Sequence, residues 1–255
     1  MTSSSSIDPT RARWESFLDK LETRQRELLS QSAQALPLLV ELRRFDPIPF
    51  TNALTAVRVQ CGELIHKIDK TWSTQVEAAF EAALGDAADR YAVLDQERER
   101  GAERRRAMEQ AQRRAEVEIA AAAARRILDE ARQVLERQFA CTQCQAPLPV
   151  RAQFFRSYYV TCDYCRTVNT FEPGMIARSV EFFAVHALAE EEALPAHLAL
   201  LDAEQRRASA LERTKLYRDY VEIYLRARVR WIPEYERDLE KDRQAKLDAF
   251  IQSIA

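Results

Sequence analysis

Apolar residues recur every three or four positions along most of the 255-residue chain. Near the start, this stripe contains Trp14, Phe17, Leu18, Leu21 and Leu28. Such spacing places side chains on one face of an α-helix. A Ser-rich tail, residues 1–8, is expected to be disordered, and Asp8 and Pro9 favour a helix start there, so we predict a helix over 9–35. Pro37 is expected to kink or end it, because a proline ring clashes with the preceding turn.

A longer apolar stripe follows the break at residues 46–49. Its members are Leu54, Val57, Cys61, Leu64, Ile65, Ile68, Trp72, Val76, Phe80 and Leu84. Steps of three and four sustained over this length predict the seam of a coiled coil or helical bundle. Gly85 favours a helical hairpin that turns near residue 85, and one continuous helix over 52–139 is the alternative.

More than half of residues 95–116 are charged, and the apolar stripe nearly disappears there. Acidic and basic residues three or four positions apart, such as Glu97 with Arg100, can hold a solvated helix, which is the expected structure. The run Arg104-Arg105-Arg106 could instead bind phosphate or an acidic partner. An apolar seam returns at Val117 and continues to Phe139, so residues 9–139 are predicted to form one helical region.

Helical patterns also fill residues 175–255. An apolar helix is expected from Ile176 to Leu188, and Pro195 is expected to restart a helix that runs to about Ile232. Pro233 then precedes a last helix. The predicted fold class is therefore mainly α: long helices in a coiled coil or bundle, with one small β module inserted at residues 140–174.

That module contains Cys141, Cys144, Cys162 and Cys165, spaced C-x₂-C-x₁₇-C-x₂-C. Two such pairs match a closed tetrahedral zinc site, in which four thiolates converge on one ion. The sequence predicts one structural Zn²⁺ held by these four residues. Because four protein ligands leave no open position, a catalytic zinc is not expected.

The residues between and after the pairs are rich in β-branched and aromatic types, which predicts three short strands within 147–155, 157–161 and 167–171. Residues 141–174 thereby resemble the zinc-ribbon family, in which two cysteine knuckles lie on a small antiparallel sheet. Members often have glycine after the second cysteine of each knuckle. This chain has Gln145 and Arg166 there, so the turn is expected to be strained or differently shaped.

Charge gives little support to a nucleic-acid partner. The chain has 38 basic and 40 acidic residues, a net charge of −2, and no basic lobe. Aromatic residues of the module could stack on bases if exposed, but are expected to form its core; they are Phe154, Phe155, Tyr158, Tyr159, Tyr164 and Phe171. Nucleic-acid binding thus remains possible and is not favoured.

Other candidate residues are isolated in the sequence. His66, His186 and His197 are expected to be packing or surface residues, and Cys61 a buried, inert thiol. No phosphate-binding loop, nucleophile elbow or zinc-protease motif occurs, so we do not expect an enzyme. Without a signal peptide or a long apolar segment, a cytoplasmic location and no membrane partner are expected, and cytoplasmic thiols stay reduced.

These features favour a non-enzymatic zinc-ribbon adaptor or scaffold that binds protein partners, with homo-oligomerisation through the helical seams as a further possibility. The alternative is a regulator of transcription or another nucleic-acid process. A helical hairpin followed by two cysteine pairs loosely resembles the DksA/TraR family, whose acidic hairpin tip reaches into RNA polymerase. The corresponding tip in this sequence is Asp86-Ala87-Ala88-Asp89-Arg90. The resemblance implies a polymerase-binding role for Asp86 and Asp89.

Overall fold

The computed structural model describes residues 4–136, 139–151 and 155–254, with side chains from residue 7 onward. The fold is mainly α, as predicted. The α-helices are α1 (Ser4–Leu42), α2 (Pro47–Thr71), α3 (Glu77–Leu84), α4 (Arg90–Leu135), α5 (Gly174–Ser179), α6 (Val185–Gln205), α7 (Ala210–Trp231) and α8 (Leu239–Ile254). Two π-helical segments, Trp72–Val76 and Val180–Ala184, precede α3 and α6, and a 3₁₀ helix, Pro233–Asp238, precedes α8. The strands are β1 (Phe139–Ala140), β2 (Pro147–Leu148), β3 (Tyr158–Thr161) and β4 (Val168–Phe171).

The chain forms two compact units that are not consecutive in sequence. The first lies within residues 1–34 and 53–116, and the second within 35–52 and 117–255. This division differs from the linear one expected from the sequence, because α1, α2 and α4 each contribute residues to both units. The β module belongs entirely to the second unit.

In the first unit, α1 and α4 run in the same direction. Arg11 Nε donates to Glu97 Oε1 at 2.6 Å, and Gln25 Nε2 donates to the Met108 carbonyl at 3.1 Å. Because the partner numbers on both helices rise together, the two helices are parallel.

The α2–α3 arm and α4 run in opposite directions and form a helical hairpin. Arg58 pairs with Glu116 at 3.0 Å, and Glu81 pairs with Arg90 at 2.9 Å, so the partner numbers move in opposite senses. The helix ends at Leu84, and Gly85 follows with φ 53°, a backbone region that favours glycine. The structure therefore has the hairpin rather than the continuous helix.

The charged run at residues 95–116 was expected to form a solvated helix. That expectation is wrong for the face of the helix that packs into the first unit. Glu97 and Met108 are buried in the first unit. Gly101 lies against the ring of Trp14, where a Cβ atom would come within 2.8 Å of Cζ2. The missing side chain lets α4 approach α1 closely, so this glycine is a packing residue and not a helix end.

Three prolines lie inside helices, although Pro9 and Pro195 were expected to begin helices and Pro37 to kink or end one. Helix α1 begins at Ser4 and continues past Pro9 and Pro37 to Leu42, while residues 1–3 of the expected tail lie outside the described residues. Helix α6 likewise continues past Pro195. The break in this region comes instead at residues 206–209, where Arg207 has φ 54° and the Ser209 hydroxyl accepts from the Glu212 N–H of α7.

Helices α6, α7 and α8 pack as successive antiparallel neighbours in the second unit. The Tyr220 hydroxyl of α7 donates to Glu190 of α6 at 2.7 Å, and the rings of Tyr217 and Phe250 stack 4.0 Å apart between α7 and α8. Their shared core consists of Ala189, Ala193, Val221, Tyr224, Leu225, Ala227 and Leu239. Among the described residues, no helix combines the length and apolar character needed to cross a membrane.

Candidate metal centre

The two cysteine pairs form two turns of the same shape. In the first, the Cys141 N–H donates to the Ala146 carbonyl at 2.8 Å, and the Gln145 N–H donates back to the Cys141 carbonyl at 2.9 Å. In the second, the Cys162 N–H donates to the Thr167 carbonyl and the Arg166 N–H to the Cys162 carbonyl, both at 2.9 Å. Each turn thus brings its two sulfur atoms to one side of the backbone.

Both turns pass through a left-handed residue directly after the second cysteine. Gln145 has φ 60° and Arg166 has φ 64°. A side chain in this conformation costs roughly 1–2 kcal/mol, which glycine avoids. The sequence left open whether these turns are strained or differently shaped. The positive φ values show that they are strained.

The strands flank the turns in two separate antiparallel pairs, so the expected three-stranded sheet is wrong. Phe139 lies opposite Leu148 in the β1–β2 pair, and Tyr158 lies opposite Phe171 in the β3–β4 pair. Each turn closes its own hairpin, and Pro147 and Pro149 provide no N–H to extend β2 as a ladder. Residues 152–154 of the first predicted strand lie outside the described residues.

All four sulfur atoms of Cys141, Cys144, Cys162 and Cys165 lie within 4.8 Å of one another. Between the turns, Cys141 Sγ lies 3.5 Å from Cys165 Sγ, and Cys144 Sγ lies 3.6 Å from Cys162 Sγ. Metal–sulfur bonds of about 2.3 Å in a tetrahedron give sulfur separations of about 3.8 Å. The four residues are therefore positioned to bind one metal ion, and the arrangement is consistent with a zinc site.

Asn169 joins the two turns and is a site residue that the sequence analysis did not find. Its side chain is buried, and its Oδ1 accepts from the Thr142 N–H at 2.9 Å and the Thr142 hydroxyl at 3.0 Å. Its Nδ2 donates to the Thr167 carbonyl at 3.0 Å and lies 3.5 Å from Cys141 Sγ. Alternation along β4, which places Asn169 on the same face as Phe171, is the sequence signal that could have identified it.

Hydrogen-bond donors also favour thiolates at two of the cysteines. The backbone N–H of Cys144, helped by those of Gln143 and the Asn169 amide, lowers the pKa of Cys141 to about 6 against the effect of burial. The Thr167 hydroxyl and N–H lower the pKa of Cys165. For Cys144, the Ala146 N–H has a lowering effect, but the adjacent thiols outweigh it and raise the pKa to about 12. Four thiolates so close together repel one another, and a bound dication would remove this obstacle.

The substitution Asn169→Leu is expected to weaken metal binding about 10- to 100-fold, because it removes a donor to Cys141 and leaves the Thr142 N–H without its acceptor. Competition with a chromophoric chelator measures this change. Thr170→Ala, at the next and exposed position of β4, is the matched control and should leave the affinity unchanged. Equal affinities for the two variants would show that Asn169 does not support the site.

The other residues considered in the sequence lie elsewhere. His66 is exposed, His186 Nδ1 lies 2.6 Å from the Tyr224 hydroxyl, and the His197 ring lies 4.7 Å from that of Tyr220. Cys61 is fully buried, and burial raises its pKa to about 11, as expected for an inert thiol. Among the described residues, the four paired cysteines form the cluster suited to a metal ion.

The aromatic residues of the module divide into two groups. Phe155, Tyr158 and Phe171 are buried, and the last two rings lie 5.0 Å apart. Tyr159 and Tyr164, in contrast, are 75% and 79% exposed. Phe154 lies outside the described residues. The expectation that these aromatics form a small core thus holds for the first group and fails for the second.

Comparisons with known proteins add no family to this description. A scan against protein-family models, a search of curated proteins and a search of solved structures found no match to the chain.

Proposed function

We propose that Cys141, Cys144, Cys162 and Cys165 hold one structural Zn²⁺, and that the protein is a non-enzymatic adaptor that docks on protein partners through the zinc module. The convergence of four sulfur atoms within 4.8 Å supports the metal assignment. Four thiolates in a tetrahedron are typical of structural zinc sites. A full set of protein ligands leaves no coordination position for substrate or water.

The role of the ion follows from the small size of the module. The buried cluster around its cysteines contains Cys141, Leu148 and Cys162, with a few partly buried residues packed against them. A two-stranded hairpin is marginally stable in water by itself. Bonds from one ion to both turns would therefore hold the two hairpins together. The role of zinc would be this structural crosslink.

The outward face of the β3–β4 hairpin supports the docking role. Tyr159 and Val168 lie on it, Tyr164 follows in the adjoining turn, and all three side chains are largely exposed. Exposed tyrosines are enriched among the residues that contribute most to protein interfaces, because they bury a large area at a small loss of side-chain entropy. A metal-crosslinked hairpin would also lose little backbone freedom on binding.

A photo-crosslinking residue placed at Tyr159 tests this function in cell extract. We expect it to capture a discrete protein, and the double variant Tyr159→Ala/Tyr164→Ala to reduce affinity purification of that protein at least tenfold, as for loss of an interface hot spot. Tyr91, which is exposed to the same degree on α4, provides the control position for both the crosslinker and the alanine substitution. Capture that is equal at the two positions would contradict a docking role for the hairpin.

The alternative role as a polymerase regulator stays a prediction. Asp86 and Asp89 are exposed in the turn between α3 and α4, where the resemblance to the DksA/TraR family places an acidic tip. No contact within the described part of the chain distinguishes this turn from an ordinary solvated one.

A further inference from the structure

The segment around the turn between α1 and α2 exposes three large apolar side chains to solvent. Leu38, Leu42 and Ile48 are 44%, 77% and 64% exposed. The buried side chains of the same segment, Val40 and Phe50, anchor it: both are fully buried, and the Phe50 ring meets that of Phe183 at 5.5 Å. One side of the segment is thus fixed in the core while the other presents large aliphatic groups to solvent.

The charges of this turn are unbalanced. Glu41 forms an ion pair with Arg126, whereas Asp46 Oδ1 accepts the neutral Ile48 N–H at 2.9 Å and Asp46 keeps its negative charge. Arg43 and Arg44 are exposed, and neither has an acidic partner within the described residues. Counted with Asp46, Arg43 and Arg44 leave this turn a net charge of +1, between the exposed leucines and Ile48.

The backbone of the turn is fixed in a costly conformation. The Phe45 N–H donates to the Val40 carbonyl and the Arg44 N–H to the Glu41 carbonyl, which is the hydrogen-bond pattern of a helix ended by a left-handed residue. That residue is usually glycine, but here Arg44 has φ 55° and Phe45 follows with φ 61°. These hydrogen bonds thus hold the turn in one shape. Its left-handed position is occupied by arginine, although glycine would adopt this conformation at a lower cost in free energy.

We propose that this turn is a docking site for an anionic lipid surface. Aliphatic side chains flanked by arginines can insert into the boundary between headgroups and acyl chains while the guanidinium groups stay with the phosphates. Side chains as exposed as Leu42 and Ile48 project from the surface rather than line a groove. A lipid surface closes around such projections without requiring a shaped pocket, and its negative charge complements Arg43 and Arg44. The proposal concerns peripheral binding and revises the sequence-based expectation of no membrane partner, which considered only targeting and membrane-spanning segments.

Flotation of the full-length, zinc-loaded protein with vesicles tests the proposal. We expect binding to phosphatidylcholine vesicles that contain phosphatidylserine, weaker binding without it, and weakening by added salt. Arg43→Ala/Arg44→Ala should reduce the affinity about 30-fold. Leu42→Ser/Ile48→Ser should reduce it at least about tenfold, because two aliphatic side chains no longer insert.

Matched controls remove the same groups elsewhere. Arg13→Ala/Arg98→Ala lowers the net charge equally at two exposed positions, and Leu211→Ser/Ile251→Ser removes two other exposed aliphatic side chains. Both controls should bind the vesicles like the unmodified chain. The proposal is overturned by absent binding to the anionic vesicles, by equal losses in test and control variants, or by binding of an acidic amphipathic peptide at the turn without vesicle binding. Circular dichroism establishes that each variant is folded.

Discussion

Replacing Gly101 by alanine is expected to destabilise the protein, although alanine is the better helix former by about 1 kcal/mol. The new Cβ would lie 2.8 Å from Trp14 Cζ2 and 3.5 Å from Ile68 Cγ2. Trp14 cannot easily yield, because it is buried, packs its ring 5.8 Å from that of Trp72, and donates from Nε1 to the Glu97 carbonyl at 3.3 Å. Overpacking of this kind costs typically about 1–3 kcal/mol, which exceeds the gain in helix propensity.

Gly62 provides the matched control for this substitution. It also lies inside a helix, α2, but a Cβ added there meets no atom within 4 Å. Gly62→Ala should therefore stabilise the protein by about 0.5–1 kcal/mol. Chemical denaturation followed by circular dichroism compares the two variants, and the expected signs are opposite. A higher midpoint for both would show that α1 and α4 are not packed as closely as described.

The second large effect is expected from Cys162→Ser, which should abolish metal binding and unfold the zinc module while most helices persist. The module's own core is small, and consists of the cluster of Cys141, Leu148 and Cys162 and the buried rings of Phe155, Tyr158 and Phe171. The helices, in contrast, pack through separate clusters, which include Trp14, Phe80 and Met108 in the first unit and Tyr224 and Leu225 in the second. Stability is thus distributed unevenly, and loss of the crosslink should remain local.

Amide hydrogen exchange and far-ultraviolet circular dichroism measure these two parts of the prediction. Exchange should become fast in β1–β4 and stay slow in α1 and α4, with helicity nearly unchanged. Cys61→Ser is the control, since it changes another fully buried cysteine, in the first unit, and should retain the metal. Complete loss of helicity in Cys162→Ser would show that the metal centre is required for the whole fold.

Local patterns predicted the helices and the four-cysteine cluster because both depend on spacing along the chain. Apolar residues spaced three or four positions apart from Leu54 to Leu84 correspond to the helical arm that ends before the turn at Gly85. The cysteines from Cys141 to Cys165 are spaced as two C-x₂-C pairs, which correspond to the two converging turns. The hairpin at Gly85 was one of two alternatives, and the ion pairs of Arg58 with Glu116 and of Glu81 with Arg90 show that the two arms pack side by side. Long-range contacts of this kind have no local signal.

The errors have the same origin. Pro37 was predicted to kink or end its helix and Pro195 to restart one, yet both helices continue through them. Arg207, which has no strong turn propensity, adopts the left-handed conformation where α6 ends. Next to Pro195, the buried side chains of Ala193 and Leu194 favour a continued helix over the local preference of proline. Likewise, Glu97 is buried in a run that composition alone marks as solvated, and Asn169 gains its role only when β4 lies beside the first turn.

The central claim is that four thiolates of this chain hold one zinc ion, and native mass spectrometry tests it most directly. Protein purified without added metal or chelator should have a native mass greater than its denatured mass by about one zinc ion per chain. Cys162→Ser should show no such difference, and Cys61→Ser should show the full difference. A native mass equal to the denatured mass for the unmodified chain, with the thiols of Cys141, Cys144, Cys162 and Cys165 all open to titration, would contradict the account.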